Sequence, residues 1–304
     1  MGQMKQQSRK LGLALGSGSS RGWSHIGVIR ELESVGIAPD VVCGCSIGSI
    51  VASSYAAGRL DKLEAWARSL GKRDIASFLE LKRSFNGFVD VAKLRGFLAE
   101  VICKDGTAIE ELGKTYASVA TDLTNGREVW FTDGDVLDSV LASIALPALF
   151  SPVPYKGRWL VDGGLVNPVP ISLCHAKGAE RVIAVNLNGD IVGKHFVEPP
   201  EGTPSGGFVN ALRTYSESLF PQQDKRERPP SLMDVAAGSL NIIQDRITRS
   251  RMAGDPPDIL LNPRLAHIDL MAFDRADEAI EEGRACVRRM MPEIRRVLEL
   301  NERS

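Results

Sequence analysis

The chain has 304 residues, with 37 Lys and Arg against 38 Asp and Glu, and 43% of it is hydrophobic. Those averages exclude a disordered chain, a collagen and a long coiled rod, and the length is enough to bury a core in one large or two ordinary domains. A net charge of -1 argues against a nucleic-acid footprint spread over the whole surface. In chain order, residues 1–10 read as a polar tail. Its basic stretch, ending at Lys10, is followed by only five apolar-type residues, Leu11 to Leu15, too few for a secretory signal. Those five read as a first strand, and Gly16 to Gly22 as a glycine-serine loop. Ile26, Ile29 and Leu32 keep helical spacing and stop at Gly36, with Pro39 soon after. Val41 to Cys43 is a second strand and Ile47 to Ala57 a second helix. The uncharged run Val41 to Gly58 contains Gly44, Ser46, Gly48, Ser49, Ser53 and Ser54, which suits a strand, a sharp turn and a small-residue helix better than a membrane span.

Further strands are expected at 118–120, 129–131, 159–161, 182–185 and 259–261, and helices at 62–70, 91–101, 137–145 and 171–176. Strands separated by helical crossovers predict an α/β protein with a largely parallel sheet covered on both faces. Between 191 and 230 the composition turns rich in Pro and Gly, an expected surface excursion. Within it Phe208, Leu212, Tyr215 and Leu219 keep the spacing of a short amphipathic helix. A helix resumes near Leu232 and stops at Gly254, and its Arg246, Arg249 and Arg251 offer cations to phosphate headgroups or simply a solvated face. The segment 275–298 is an amphipathic helix with a break expected at Pro292. The cysteines (Cys43, Cys45, Cys103, Cys174 and Cys286) are odd in number and scattered, as expected of buried free thiols in a reducing compartment.

Gly44-Cys45-Ser46-Ile47-Gly48 is a G-x-S-x-G pentapeptide between an apolar strand and a helix. A nucleophile elbow needs that setting: the strained turn lifts the Ser oxygen clear, and the flanking glycines avoid Cβ collisions. The helix that follows points its positive end at Ser46. Gly16-Ser17-Gly18-Ser19-Ser20-Arg21-Gly22 also links a strand to a helix. Its glycine spacing is one residue off the dinucleotide fingerprint, and Gly44-Cys45-Ser46 stands where a ribose-binding acid belongs. Paired, the two turns suit acyl transfer, one supplying a nucleophile and the other an oxyanion hole. For the base the residues leave alternatives: His175, His267, or Asp162, which ends the apolar strand Trp159-Leu160-Val161 ahead of Gly163 and Gly164. Asp162 would face Ser46 if their strands were parallel neighbours.

Three ordered stretches, Leu13 to Gly27, Gly44 to Gly48 and Leu160 to Pro168, together with Ala142 to Pro147 and Arg251 to Ile259, resemble the patatin-like phospholipases, and more closely the bacterial proteins of the neuropathy-target-esterase type. The resemblance implies a three-layer α/β/α sandwich with a mainly parallel sheet and a Ser46–Asp162 dyad without a histidine. Ser46 would be the nucleophile and Asp162 the base. The loop Ser17-Gly18-Ser19 would form the oxyanion hole through the N–H groups around Gly18 and Ser19, and Arg21 matches the basic residue of the family loop. The family loop is often three glycines; serines here narrow the approach. The expected arrangement is a catalytic domain over 11–190, the excursion, and a helical extension over 231–304. The expected activity is hydrolysis of fatty-acyl esters such as phospholipids or lysophospholipids, with no cofactor, no metal and no nucleic acid. The expected location is the cytoplasm, with transient contact at a membrane. A useful aspartate base requires a desolvated carboxyl with a raised pKa. Two other readings are a His-assisted carboxylesterase or thioesterase, and a lipid- or nucleotide-sensing module that binds without catalysis.

Overall fold

A computed structural model describes residues 9–71, 91–147, 149–189 and 232–299. Among the described residues eight strands form one sheet: β1 (Leu11–Leu15), β2 (Val41–Cys45), β3 (Thr115–Asp122), β4 (Glu128–Phe131), β5 (Val153–Tyr155), β6 (Arg158–Asp162), β7 (Arg181–Val185) and β8 (Ile259–Leu261). The described helices are α1 (Ser24–Ser34), α2 (Ile47–Ala56), α3 (Leu60–Ser69), α4 (Val91–Val101), α5 (Val136–Ser143), α6 (Ile171–Ala176), α7 (Leu232–Gly254) and α8 (Ala276–Val297). The expected excursion and its amphipathic stretch at 208–219 lie outside the described residues.

Strands β3, β2, β1, β7 and β8 run parallel in that order, as crossover helices require. One apolar face of the sheet packs with Ile26, Ile29 and Leu32 of α1, Val51 of α2 and Ile280 of α8. The other, around Ala14, Cys43 and Val119, is covered by Leu173 and Cys174 of α6. This is the α/β sandwich expected. At the α1–α8 contact the backbones touch: a Cβ on Gly27 would come 1.8 Å from the Ile280 carbonyl oxygen, and one on Gly283 would come 2.0 Å from that of Ser24.

Two expectations fail here for clear reasons. Pro292 does not break α8, which runs through it. Arg288, whose carbonyl loses its helical partner there, and Pro292 itself are both exposed, so the interruption of the ladder lies on the solvent side, where the orphan group is not forced into the core. The strands carrying Ser46 and Asp162 are also not parallel neighbours. Ser118 and Val119 of β3 pair with both β2 and β4, whereas Ala120 and Thr121 pair with β4 and β6. A strand residue has one neighbour on each side, so β2 and β6 share the same edge of β3, the second taking over where the first leaves off. Cys45 is level with Val119 and Asp162 with Ala120. Head-on meeting of a parallel and an antiparallel strand therefore brings Ser46 and Asp162 together.

Candidate active site

Ser46 lies between β2 and α2 with φ 55° and ψ -127°, a conformation that costs a non-glycine residue about 1–3 kcal/mol. Its surroundings compel it. A Cβ on Gly44 would come 2.4 Å from the Gly48 carbonyl oxygen, and one on Gly48 would come 2.2 Å from that of Leu15. The Ser46 N–H donates to Ser143 Oγ (2.9 Å), and that hydroxyl donates to the Val119 carbonyl (2.8 Å). Ser143, fully buried at the end of α5, thus ties the elbow to β3. The sequence places Ser143 in the expected helix 137–145 and in a stretch of the family resemblance, but gives it no role at the site.

The Ser46 hydroxyl donates to Asp162 Oδ2 at 2.6 Å, and the Gly164 N–H donates to Oδ1 at 2.7 Å. One carboxylate oxygen is thereby fixed by backbone and the other faces Ser46. The turn after Asp162 needs glycine, since a Cβ on Gly163 would come 2.2 Å from the Val119 carbonyl oxygen. Asp162 is fully enclosed, and burial pushes its pKa up to about 6, against the lowering effect of the Ser46 and Gly164 hydrogen bonds. The carboxyl is thus still ionised at neutral pH while more basic than an ordinary aspartate.

The loop after β1 approaches the same edge of the sheet. Ser17 departs from expectation: its N–H donates to the Pro168 carbonyl (2.8 Å), so it is taken up by the fold. Among the described residues the N–H groups of Gly18 and Ser19 have no such acceptor. Arg21 Nε donates to the Gly18 carbonyl (3.2 Å). In a trans peptide the carbonyl and the following N–H point opposite ways, so this bond aims the Ser19 N–H away from Arg21. The guanidinium is buried, and desolvation lowers its pKa to about 10, with Asp269 opposing; it stays charged at neutral pH. His25 Nε2 donates to the Gly16 carbonyl (2.8 Å), and burial lowers its pKa to about 4, so the ring is a neutral brace.

Helix α7 holds both loops, a role the sequence reading missed. Asn241, Gln244, Asp245 and Thr248 are buried along one of its faces. Gln244 Oε1 accepts from Ser17 Oγ (3.1 Å) and Asn188 Nδ2 (2.9 Å), and Asn241 Oδ1 accepts from Arg21 Nη2 (3.4 Å). Arg251 donates to the Val166 carbonyl (2.6 Å) and to Glu128, which also accepts from Asn167 (2.9 Å). Arg251 and Arg249, read as candidates for headgroups, are paired within the fold, the second with Asp245 at 2.8 Å. The polar stripe at 241, 244, 245 and 248, with Ile242 and Ile243 exposed on the opposite side, was the available signal.

The histidine alternatives are placed elsewhere. His175 ends α6 and accompanies the start of β7, with Nδ1 3.1 Å from the Ala179 carbonyl oxygen and Nε2 3.7 Å from Asp255. That is the amino edge of the parallel strands, opposite Ser46. His267 is engaged by Glu278 at 2.6 Å. All five cysteines are buried free thiols, and among the described residues no cluster of His, Cys, Asp and Glu could hold a metal ion. No helix of the described residues is long and apolar enough to cross a membrane.

Comparison with known proteins agrees with this architecture. The patatin-like phospholipase family model matches residues 13–175, a stretch that includes Ser46 and Asp162 and ends before α7. An uncharacterized NTE family protein of Mycobacterium tuberculosis is 30% identical over 91% of this chain and 90% of its own length. A second uncharacterized NTE family protein from the same organism is 30% identical over 92% of this chain and 46% of its own. Patatin-like phospholipase domain-containing protein 6 of Mus musculus is 32% identical over 58% of this chain and 13% of its own. The chain belongs to the patatin-like phospholipase family, in its NTE branch, and is an ester hydrolase of that family.

Proposed function

We propose that the protein hydrolyses fatty-acyl esters of phospholipids or lysophospholipids through a Ser46–Asp162 dyad, with the Gly18 and Ser19 N–H groups as the oxyanion hole. The observation that carries this reading is the 2.6 Å bond from the strained Ser46 hydroxyl to a buried carboxylate whose pKa is raised to about 6. The proposed catalytic unit spans 11–190 together with 231–304, because Gln244 and Asn241 of α7 support the loop.

In the first step Ser46 Oγ attacks the ester carbonyl carbon while its proton passes to Asp162 Oδ2. Negative charge develops on the carbonyl oxygen, and the two loop amides stabilise it; loss of one such donor typically costs about 3–4 kcal/mol of transition-state energy. The tetrahedral intermediate collapses as Asp162 returns the proton to the leaving alkoxide, releasing the alcohol and leaving an acyl ester on Ser46. Water then gives a proton to Asp162 and attacks the acyl carbon. Collapse returns that proton to Ser46 Oγ and frees the fatty acid. Gly164 holds Oδ1 throughout, so the carboxylate offers the same oxygen in both halves.

The test is fluorophosphonate labelling read by intact mass and peptide mapping. One adduct on Ser46 is expected, absent in Ser46→Ala and strongly slowed in Asp162→Asn. An unlabelled wild type that also fails to turn over short-chain nitrophenyl esters would overturn the hydrolase reading and favour a binding module.

A further inference from the structure

Two β-hairpins project beyond the carboxyl end of β3, and their tips carry side chains the active site does not use. The first joins β3 to β4. Asp122 organises its turn by accepting from the Thr124 N–H (2.9 Å) and from Asn125 Nδ2 (3.0 Å), while Gly126 takes φ 68°. The second joins β5 to β6 through Lys156 and Gly157, both at positive φ (46° and 76°), the geometry of a tight two-residue hairpin turn. The Leu123 N–H donates to the Trp159 carbonyl (2.9 Å), so the tips are tied side by side.

The register continues from Thr121 opposite Val161 to Leu123 opposite Trp159, which puts these two side chains on one face. Each is 55% exposed, an unusual state for a tryptophan and a leucine in contact range of each other. Arg127, Lys156 and Arg158 stand on the same tips. Arg127 has no ion-pair partner among the described residues, and Arg158 reaches only the buried Asp122, at 3.9 Å. Lys156 lies over the Tyr155 ring, 4.9 Å from its centre, with Asp133 the acid that faces it. Glu128, the other acid of the first hairpin, is spent on Arg251.

We propose that the two tips are a docking edge for an anionic lipid surface. Leu123 and Trp159 enter the headgroup layer, where an indole is at home, and Arg127, Lys156 and Arg158 meet phosphate. Both turns are fixed by their own hydrogen bonds or backbone geometry, so docking orders little new chain. Trp159 lies three residues before Asp162 on the same strand, about 10 Å further out. Docking therefore directs the edge that carries Ser46 towards the bilayer. Only this last point, the delivery of a lipid ester to Ser46, rests on the function proposed above.

Co-sedimentation tests it in the Ser46→Ala background, where hydrolysis cannot alter the vesicles. At low salt, binding to phosphatidylglycerol vesicles and weak binding to phosphatidylcholine vesicles are expected. Leu123→Ser with Trp159→Ser should weaken the former at least about tenfold, and Arg127→Gln or Lys156→Gln about fivefold each. In the chain with Ser46 intact, those variants should leave turnover of a soluble short-chain ester unchanged and lower only the hydrolysis of vesicle lipid. Equal binding by wild type and the Leu123/Trp159 variant, or no binding to phosphatidylglycerol at low salt, would overturn the docking edge whether or not Ser46 is active. So would loss of self-association in that variant in place of lost vesicle binding, which would assign the tips to a protein contact.

Discussion

The two turns that make up the site are held in opposite ways. The elbow at Ser46 is fixed by its immediate neighbours: Gly44 and Gly48 within two residues, β3 beside it, and Ser143 from the next layer. The loop at Gly18 and Ser19 is held from across the chain. Besides His25 and Arg21, its serines donate to the carbonyls of Leu270 (2.5 Å) and Asp269 (2.6 Å), and Gln244 takes the Ser17 hydroxyl. Strain that is compelled locally survives changes elsewhere, whereas a loop braced by distant helices loses its aim when any brace is cut. The elbow supplies the reacting atoms and the loop supplies only their electrostatic partner, so the two should also fail differently.

The largest effects should come from the elbow, with the fold intact. Ser46→Ala should lower kcat for a soluble nitrophenyl ester by about four to six orders of magnitude, with an unchanged circular dichroism spectrum. Asp162→Asn should cost about three to four orders, and here activity and stability part company. The folded carboxyl titrates near 6 against an ordinary 3.8, so the folded chain takes up the proton first as pH falls. Its burial therefore costs stability above 6, and the cost fades towards 3.8. The Asn variant removes that cost, and thermal denaturation should find it more stable than wild type at neutral pH, by up to about 3 kcal/mol. The advantage should shrink as pH falls through 6.

Loop variants sharpen the contrast by losing rate and stability together. Arg21→Met removes the guanidinium's bond to the Gly18 carbonyl and leaves it only the residue-21 N–H at 3.3 Å; it should lower kcat by about 10- to 100-fold with little change in KM, because the aimed N–H acts on charge present only in the transition state. Gln244→Ala leaves Ser17 Oγ and Asn188 Nδ2 without their shared acceptor. A melting-curve loss of about 1–3 kcal/mol is expected, with a fall in kcat of about tenfold. Ser143→Ala is the smallest predicted effect on the elbow itself. It removes the acceptor of the Ser46 N–H, yet Gly44, Gly48 and Asp162 remain, so a severalfold loss of kcat should suffice to describe it.

The same contrast explains what was legible in the sequence. The elbow, the Gly-rich loop and Asp162 each stand at the end of a short apolar run, where strand-to-helix punctuation is local, and α4 and α6 begin and end where their spacing indicates. What was hidden depends on long-range pairing. The head-on meeting of β2 and β6 along β3 follows from the register of three strands far apart in sequence, and β5, at three residues, carries no periodicity of its own. Helix α7 is legible as a helix, but its buried side is the polar one, the reverse of the usual surface helix. Its Arg251 and Arg249 looked available for phosphate because nothing near them in sequence announces Glu128, and because an Arg and an Asp four apart on a helix read as an ordinary surface pair. The Ser17 N–H could not be told from those of Gly18 and Ser19 without the Pro168 carbonyl.

The dyad without a histidine is tested most directly by the pH dependence of kcat/KM for a soluble ester, measured in wild type and in His25→Gln, His175→Gln and His267→Gln. A buried Asp162 acting as the base predicts a single acid limb with its midpoint near 6, at the same pH in all four proteins. An acid limb that disappears or moves when one histidine is replaced would contradict it.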